Sequence, residues 1–151
     1  MKPVAGFPLH FLRVAASSNK AVKQAIQFAT SLRAKITAVC IVGEYPIREY
    51  EGYMMPEIPA LKKRFVEAEA AVAKKILDTV KKAASKGGVD CETVAPAGSA
   101  PYDAIIKQAA KSKCDLIVMA SHGRRGLSGV LLGSETQKVL THSKIPVLVC
   151  R

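Results

Sequence analysis

Short apolar runs alternate along this chain with longer amphipathic segments, and few folds can accommodate that rhythm. Residues 9–16, 35–42, 89–95, 116–119 and 145–150 are brief and rich in aliphatic side chains. Such runs suit strands buried on both faces. Between them the apolar residues recur at helical spacing. Ala21, Ala25, Phe28, Ala29 and Leu32 fall on one face of a first helix, for which Ser17, Ser18 and Asn19 supply capping side chains. Pro59–Lys86 places Leu61, Phe65, Ala68, Val72, Ile76, Leu77 and Val80 on one face and lysines opposite, and Gly87 and Gly88 end it. Pro101 begins a third helix that buries Ala104, Ile105, Ala109 and Ala110. Ser134 opens the last, with Gln137 three residues on completing a capping box. Residues 44–58 show neither period and are expected to be irregular.

Five strands alternating with four helices predict an α/β fold: a single-domain, doubly wound, five-stranded parallel sheet with helices on both faces, spanning residues 1–151. A length of 151 residues allows one well-buried core, and with no Trp, four Phe and four Tyr that core is mostly Ala, Val, Ile and Leu. In such sheets ligands bind beyond the carboxyl ends of the strands, where strand order reverses. Periodicity does not give that order.

The net charge is +11, and residues 1–43 hold six Lys or Arg and no carboxylate, the first being Glu44. That balance favours anionic partners, although most such lysines serve as a solvated surface. The scarcity of aromatics leaves base stacking little to work with, so nucleic acid is not the expected partner. Cys40, Cys91, Cys114 and Cys150 lie in or beside apolar runs without paired spacing and read as buried free thiols of a reducing compartment. His10, His122 and His142 show no spacing that would join them in a metal site. Pro3, Pro8, His10 and Arg13 break the apolar stretch that a leader peptide needs, and no run approaches a membrane span of about 20 residues. The expected location is the cytoplasm, with no membrane partner.

Residues 115–134 combine a strand, a glycine-rich basic loop and a helix start. Gly123, Gly126, Gly129 and Gly133 allow close backbone approach, Arg124 and Arg125 add positive charge, and the helix start near Ser134 offers free N–H donors. These are the requirements of a phosphate cradle. Neither a Walker A pattern nor Gly-x-Gly-x-x-Gly after the first strand is present, so the cradle is of another type.

From its first strand to the final Ile-Pro-Val-Leu-Val-Cys-Arg the chain resembles the universal stress proteins, most strongly in its last third. Nucleotide-binding members carry Gly, two residues, Gly, nine residues, then Gly followed by Ser or Thr. Gly123, Gly133 and Ser134 match that pattern, and Ala120 stands at its first glycine. The resemblance implies an adenine nucleotide, ATP or AMP, with Mg2+ accompanying ATP. It places the ligand near Ala15, Ala16, Ile41, Met119, Ala120, His122, Gly123, Arg124, Gly133, Ser134, Glu135 and Thr136. Members usually end the first strand in an Asp that faces adenine. Here Ala16 or Arg13 occupies that place, according to the alignment, and neither supplies a carboxylate. Backbone groups near Ile41 would still serve adenine, so phosphate contacts survive better than base selectivity.

What the resemblance implies is a cytoplasmic stress-response binding module, homodimeric through the C-terminal strand. Two alternatives remain: a nucleotide-independent dimeric interaction protein, motivated by the missing Asp and the +11 charge and touching nucleic acid electrostatically, and a slow ATPase in which His122 or Glu135 moves a proton. No acidic pair for magnesium is evident, which weighs against turnover.

Overall fold

The first four strands of the main sheet are each followed along the chain by a helix that packs back on it, and the apolar side chains of the sheet alternate between two helical layers. The structure, a computed structural model, describes residues 10–14, 19–45, 49–50, 53–54, 59–121 and 132–151. Its elements run β1 (His10–Val14), α1 (Asn19–Leu32), β2 (Lys35–Val39), β3 (Glu49–Tyr50), β4 (Tyr53–Met54), α2 (Pro59–Lys86), β5 (Cys91–Val94), α3 (Pro101–Lys111), β6 (Leu116–Ala120), α4 (Ser134–His142) and β7 (Val147–Cys150). Five strands form one sheet in the order β5-β2-β1-β6-β7, with all neighbours parallel. This is the doubly wound, Rossmann-like α/β fold that the alternation predicts.

Successive residues of a strand point to opposite faces. Val118 and Ala120 of β6 therefore join Ala21, Ala25 and Ala29 of α1 and Ala73, Leu77, Val80 and Ala84 of α2 in one buried cluster. Ile117 and Met119 join Ile105 and Ala109 of α3 and Val139 of α4 in the other. The order reverses at β1: the chain moves outward through β2 and β5, then returns to β6 and continues to β7. The reversal sets the carboxyl ends of β1 and β6 side by side, and the glycine-rich loop leaves β6 at that point.

Several expectations are corrected. Of the four residues expected to be buried by α3, Ile105 and Ala109 are, whereas Ala104 is half-buried and Ala110 is exposed. The segment expected to be irregular contains a small antiparallel pair, β3 with β4, in which Tyr50 is in register with Tyr53. Two β-favouring tyrosines separated by a two-residue connector that includes Gly52 carried that signal.

Phe28 and Leu32 of α1 are 44% and 49% exposed, because three alanines do the burying and let the helix lie close to the sheet, leaving larger side chains at the rim.

The first half of α2 lies beyond the core. Leu61 is 45% exposed and Ala68 is exposed, while Phe65, Val72 and Ile76 are half-buried. A helix of 28 residues spans about 42 Å, whereas β2, with 5 residues, spans about 17 Å, so the helix overhangs the sheet.

Gly133, not Ser134, is the N-cap of α4. No side-chain cap bond is present, and the Gln137 N–H donates to the Gly133 carbonyl in the ordinary helical ladder. With Ser134 already inside the helix, its hydroxyl cannot play the capping-box role. The strands are also trimmed: β2, β5 and β7 are each shorter than the apolar runs that mark them, while Leu9, Ala15 and Ala16 at the ends of the first run lie outside the described residues. Ser17 and Ser18 lie outside the described residues.

Candidate functional site

The carboxyl ends of β2, β1 and β6 line up along one edge of the sheet, and the start of α4 stands beside them. Adjacent strands are about 4.8 Å apart, so the crevice from the end of β2 to the end of β6 is about 10 Å across. The chain leaves the sheet at Ser121, whose N–H donates to the Cys150 carbonyl at 2.8 Å. It returns at Gly133, whose N–H donates to the Ser121 carbonyl at 2.8 Å. These bonds tie the two ends of the glycine-rich segment to the tip of β6 and β7.

Thr136 fixes α4 against that tip. Its side chain is 2% exposed, and its hydroxyl donates to the Ala120 carbonyl at 3.1 Å. The first-turn N–H groups of a helix have no intrahelical acceptors. Those at Ser134 and Glu135 therefore emerge at the end of the helix with its positive dipole charge. Gly133 is half-buried with φ −69 and ψ 152, an extended conformation open to any residue. Its glycine identity is thus not required by backbone angle.

The Glu135 side chain turns away from the crevice. One carboxylate oxygen accepts the Tyr102 N–H at 2.9 Å, and the other accepts from Lys138 Nζ at 3.0 Å. Ala100 provides no side-chain cap for α3, so Glu135 serves as the cap from a neighbouring helix. Lys138 Nζ lies 5.4 Å from the centre of the Tyr102 ring, and that ring packs against His142. Sequence reasoning missed this cluster, because no local spacing relates residue 102 to residue 135.

Of the residues singled out in the sequence, Ile41, Met119, Ala120, Gly133, Ser134, Glu135 and Thr136 fall within the described structure. The fold brings them to the carboxyl edge. Met119 and Ala120 are each 4% exposed and point into opposite core clusters, so only their backbone faces the edge. Ile41 is half-buried beyond β2, where Val42 bridges Ala97 and the Gly98 N–H donates to the Val42 carbonyl at 3.1 Å. Arg13 is inside β1, paired with Ala38 on one side and Val118 on the other. Ala15, Ala16, His122, Gly123, Arg124 and Arg125 lie outside the described residues.

A cleft of about 330 Å³ opens at the opposite, amino-terminal end of β2 and β5 and is lined in part by Lys35, Thr37, Asp90, Glu92 and Lys111. Lys35 and Asp90 pair at 3.0 Å, which leaves it without the concentrated positive charge that phosphate needs. All four cysteines are buried and unbridged. Burial, assisted by the charge of Asp115, pushes the Cys114 thiol from 9.0 to about 11, and burial also raises Cys91. Such thiols are unreactive at neutral pH. Among the described residues, no group of His, Cys, Asp or Glu could hold a metal ion, and no helix is long and apolar enough to cross a membrane.

Comparison with known proteins gives the same architecture a lineage. The family model described as the universal stress protein family matches residues 15–151. A universal stress protein of Methanocaldococcus jannaschii is 34% identical over 134 residues, covering 89% of this chain and 75% of that protein. The solved structure of a universal stress protein from Lactobacillus plantarum superposes with a TM-score of 0.82 at 24% identity, covering 97% of this chain and 99% of its own. A universal stress protein solved in complex with cAMP matches at 27% identity and a TM-score of 0.66, covering 95% and 97% of the two chains.

Proposed function

Because this chain belongs to the universal stress protein family, we propose that it is a one-domain cytoplasmic regulatory module that binds an adenine nucleotide. The ligand lies across the carboxyl edge of the sheet, with phosphate at the start of α4. The single observation that carries this reading is the placement of Gly133 and the N-terminus of α4 beside the strand-order reversal, held there by Ser121 and Thr136. A related structure that holds cAMP supports the adenine nucleotide class. ATP or AMP fills the site in this reading, Mg2+ entering only with the triphosphate.

The phosphate half and the adenine half differ in quality. Ser134 and Glu135 offer backbone donors, which do not depend on side-chain identity. At the adenine end the sequence supplies Ala16 or Arg13 where an Asp is usual, so base recognition falls to backbone groups near Ile41. One missing polar contact of about 1 to 3 kcal/mol corresponds to roughly five- to 150-fold in affinity.

Binding proceeds without efficient turnover. The Glu135 carboxylate, one of two groups near the loop able to move a proton, already accepts from Tyr102 N–H and Lys138. Dimerisation uses β7, which among the described residues is an edge strand with one open ladder and whose Val147, Leu148 and Val149 are only half-buried in the single chain.

The test starts from protein purified without added nucleotide, denatured, with any released ligand identified by mass spectrometry. An adenine nucleotide in stoichiometric amount supports the reading. Ala16→Asp should then tighten binding of adenine over guanine nucleotides, and unchanged selectivity would favour Arg13 as the equivalent position. A protein that releases nothing and binds no nucleotide would instead be the nucleotide-independent dimeric interaction protein.

A further inference from the structure

Among the four helices of the described residues, positive charge is segregated to one side of the sheet. Helices α1 and α2, which share one face, carry ten basic residues against three acidic. Helices α3 and α4, on the other face, carry three basic against two acidic. A surface whose only task is solubility has no reason to be sided.

Within α2 the charge is ordered further. Arg64, Lys75, Lys82 and Lys86 are separated by 11, 7 and 4 residues, close to three, two and one turns of helix. They therefore lie within about 40° of one another around the axis and along about 33 Å of its length. That line is opposite the buried row of Ala73, Leu77, Val80 and Ala84. All four cations are exposed. Among the described residues none of them is in an ion pair, whereas Glu67 and Asp78 of the same helix are paired with Lys63 at 3.9 Å and Lys74 at 3.4 Å. The row is left as four cations outside any ion pair, with Asp78 the one carboxylate interleaved among them.

We propose that the outer face of α2 is a docking surface for the phosphate backbone of duplex nucleic acid, recognised without regard to base sequence. Three features select this partner. The residues interleaved with the row are Ala68, Ala71, Asp78 and Thr79, which offer neither the aromatic anchors of a protein interface nor the apolar side chains that a helix sinks into a membrane surface. A straight cationic row of about 33 Å matches one turn of duplex, about 34 Å. Its lack of aromatic side chains disfavours single strands, which are held largely by stacking. The scarcity of aromatics that sets nucleic acid aside in the sequence therefore removes only base reading. Backbone contact needs none. This surface is separate from the carboxyl edge of the sheet, and the proposal does not depend on nucleotide binding there.

Fluorescence anisotropy with a labelled mixed-sequence duplex of two turns tests it on the full chain. Four phosphate contacts predict that affinity falls about a hundredfold between about 50 and 200 mM salt. Lys75→Glu/Lys82→Glu/Lys86→Glu should abolish binding, and Lys111→Glu/Lys113→Glu/Lys144→Glu, which changes the total charge equally on other surfaces, should weaken it far less. Circular dichroism checks that both fold. Should the first variant fail to fold, single neutralisations such as Lys82→Gln should each lower the salt slope by about one. Equal losses in the two triple variants would overturn the proposal, leaving net charge alone as the cause. Competition by polyglutamate or phosphatidylglycerol vesicles as strong as by duplex would overturn it in favour of a general anion surface.

Discussion

Thr136 shows how much of the site rests on single side chains. Its hydroxyl satisfies a buried carbonyl at the end of β6, and Thr136→Val removes that donor while keeping the shape. A buried acceptor left unsatisfied costs about 1 to 3 kcal/mol. Urea denaturation should show a loss of that size, with the nucleotide affinity falling as the start of α4 loosens. Cys114 makes a prediction about pH. Its thiol ionises near 9.0 in the unfolded chain and near 11 in the fold. The fold therefore keeps its full advantage from the neutral thiol below pH 9, and that advantage is lost as pH rises from about 9 to 11, where the unfolded chain sheds its proton first. Denaturation midpoints across that window should fall more steeply for the native chain than for Cys114→Ala; identical slopes would show that burial does not hold the proton. The four thiols were legible in the sequence as buried and free, because each sits in an apolar run. The engagement of Thr136 was not, since its partner is 16 residues away.

Among the elements, helix ends were easier to read than helix faces. Pro59, Pro101 and the Gly87-Gly88 pair punctuate the sequence, and the structure begins and ends α2 and begins α3 there. Gly88 has φ +68, a left-handed conformation that glycine adopts without strain. A Cβ on Gly87 would sit 2.7 Å from Ile26 Cγ2, so this glycine lets α1 and the end of α2 meet. Gly88→Ala should cost about 1 kcal/mol in thermal or chemical denaturation. Faces were harder to read because helical spacing carries no information about what the helix lies against. In α1 the alanines are buried and Phe28 and Leu32 are left at the rim; in α2 the apolar face outruns a short sheet. The cap on α3 depends on contact between helices: Glu135→Ala should destabilise by about 0.5 to 2 kcal/mol, the usual range for losing a helix cap. In a double-mutant cycle with Lys138→Met, coupling well below that loss would assign most of the effect to the Tyr102 N–H bond.

For the whole molecule, the parallel α/β class followed from the alternation of runs and segments, but where the proposed site falls on the sheet did not. Strand order comes from which helix covers which face, a tertiary choice that no local period encodes. Once β1 and β6 are seen to be neighbours, Ser121 and Gly133, which flank the glycine-rich segment, and α4 fall at the one place where such a sheet opens for a ligand. The siding of charge is equally a property of the assembled layers, since a count of +11 is the same however the helices are distributed. The account turns on phosphate binding at the start of α4, and Gly133 is its best probe, because φ −69 and ψ 152 admit a branched side chain without backbone strain. Isothermal titration of nucleotide-stripped protein and of Gly133→Val with ATP, ADP and AMP is the most direct measurement. Saturable binding by the native chain, weakened more than about tenfold in a variant of unchanged melting temperature, is the predicted result. No saturable binding at millimolar nucleotide, or equal affinity in the two proteins, would contradict it.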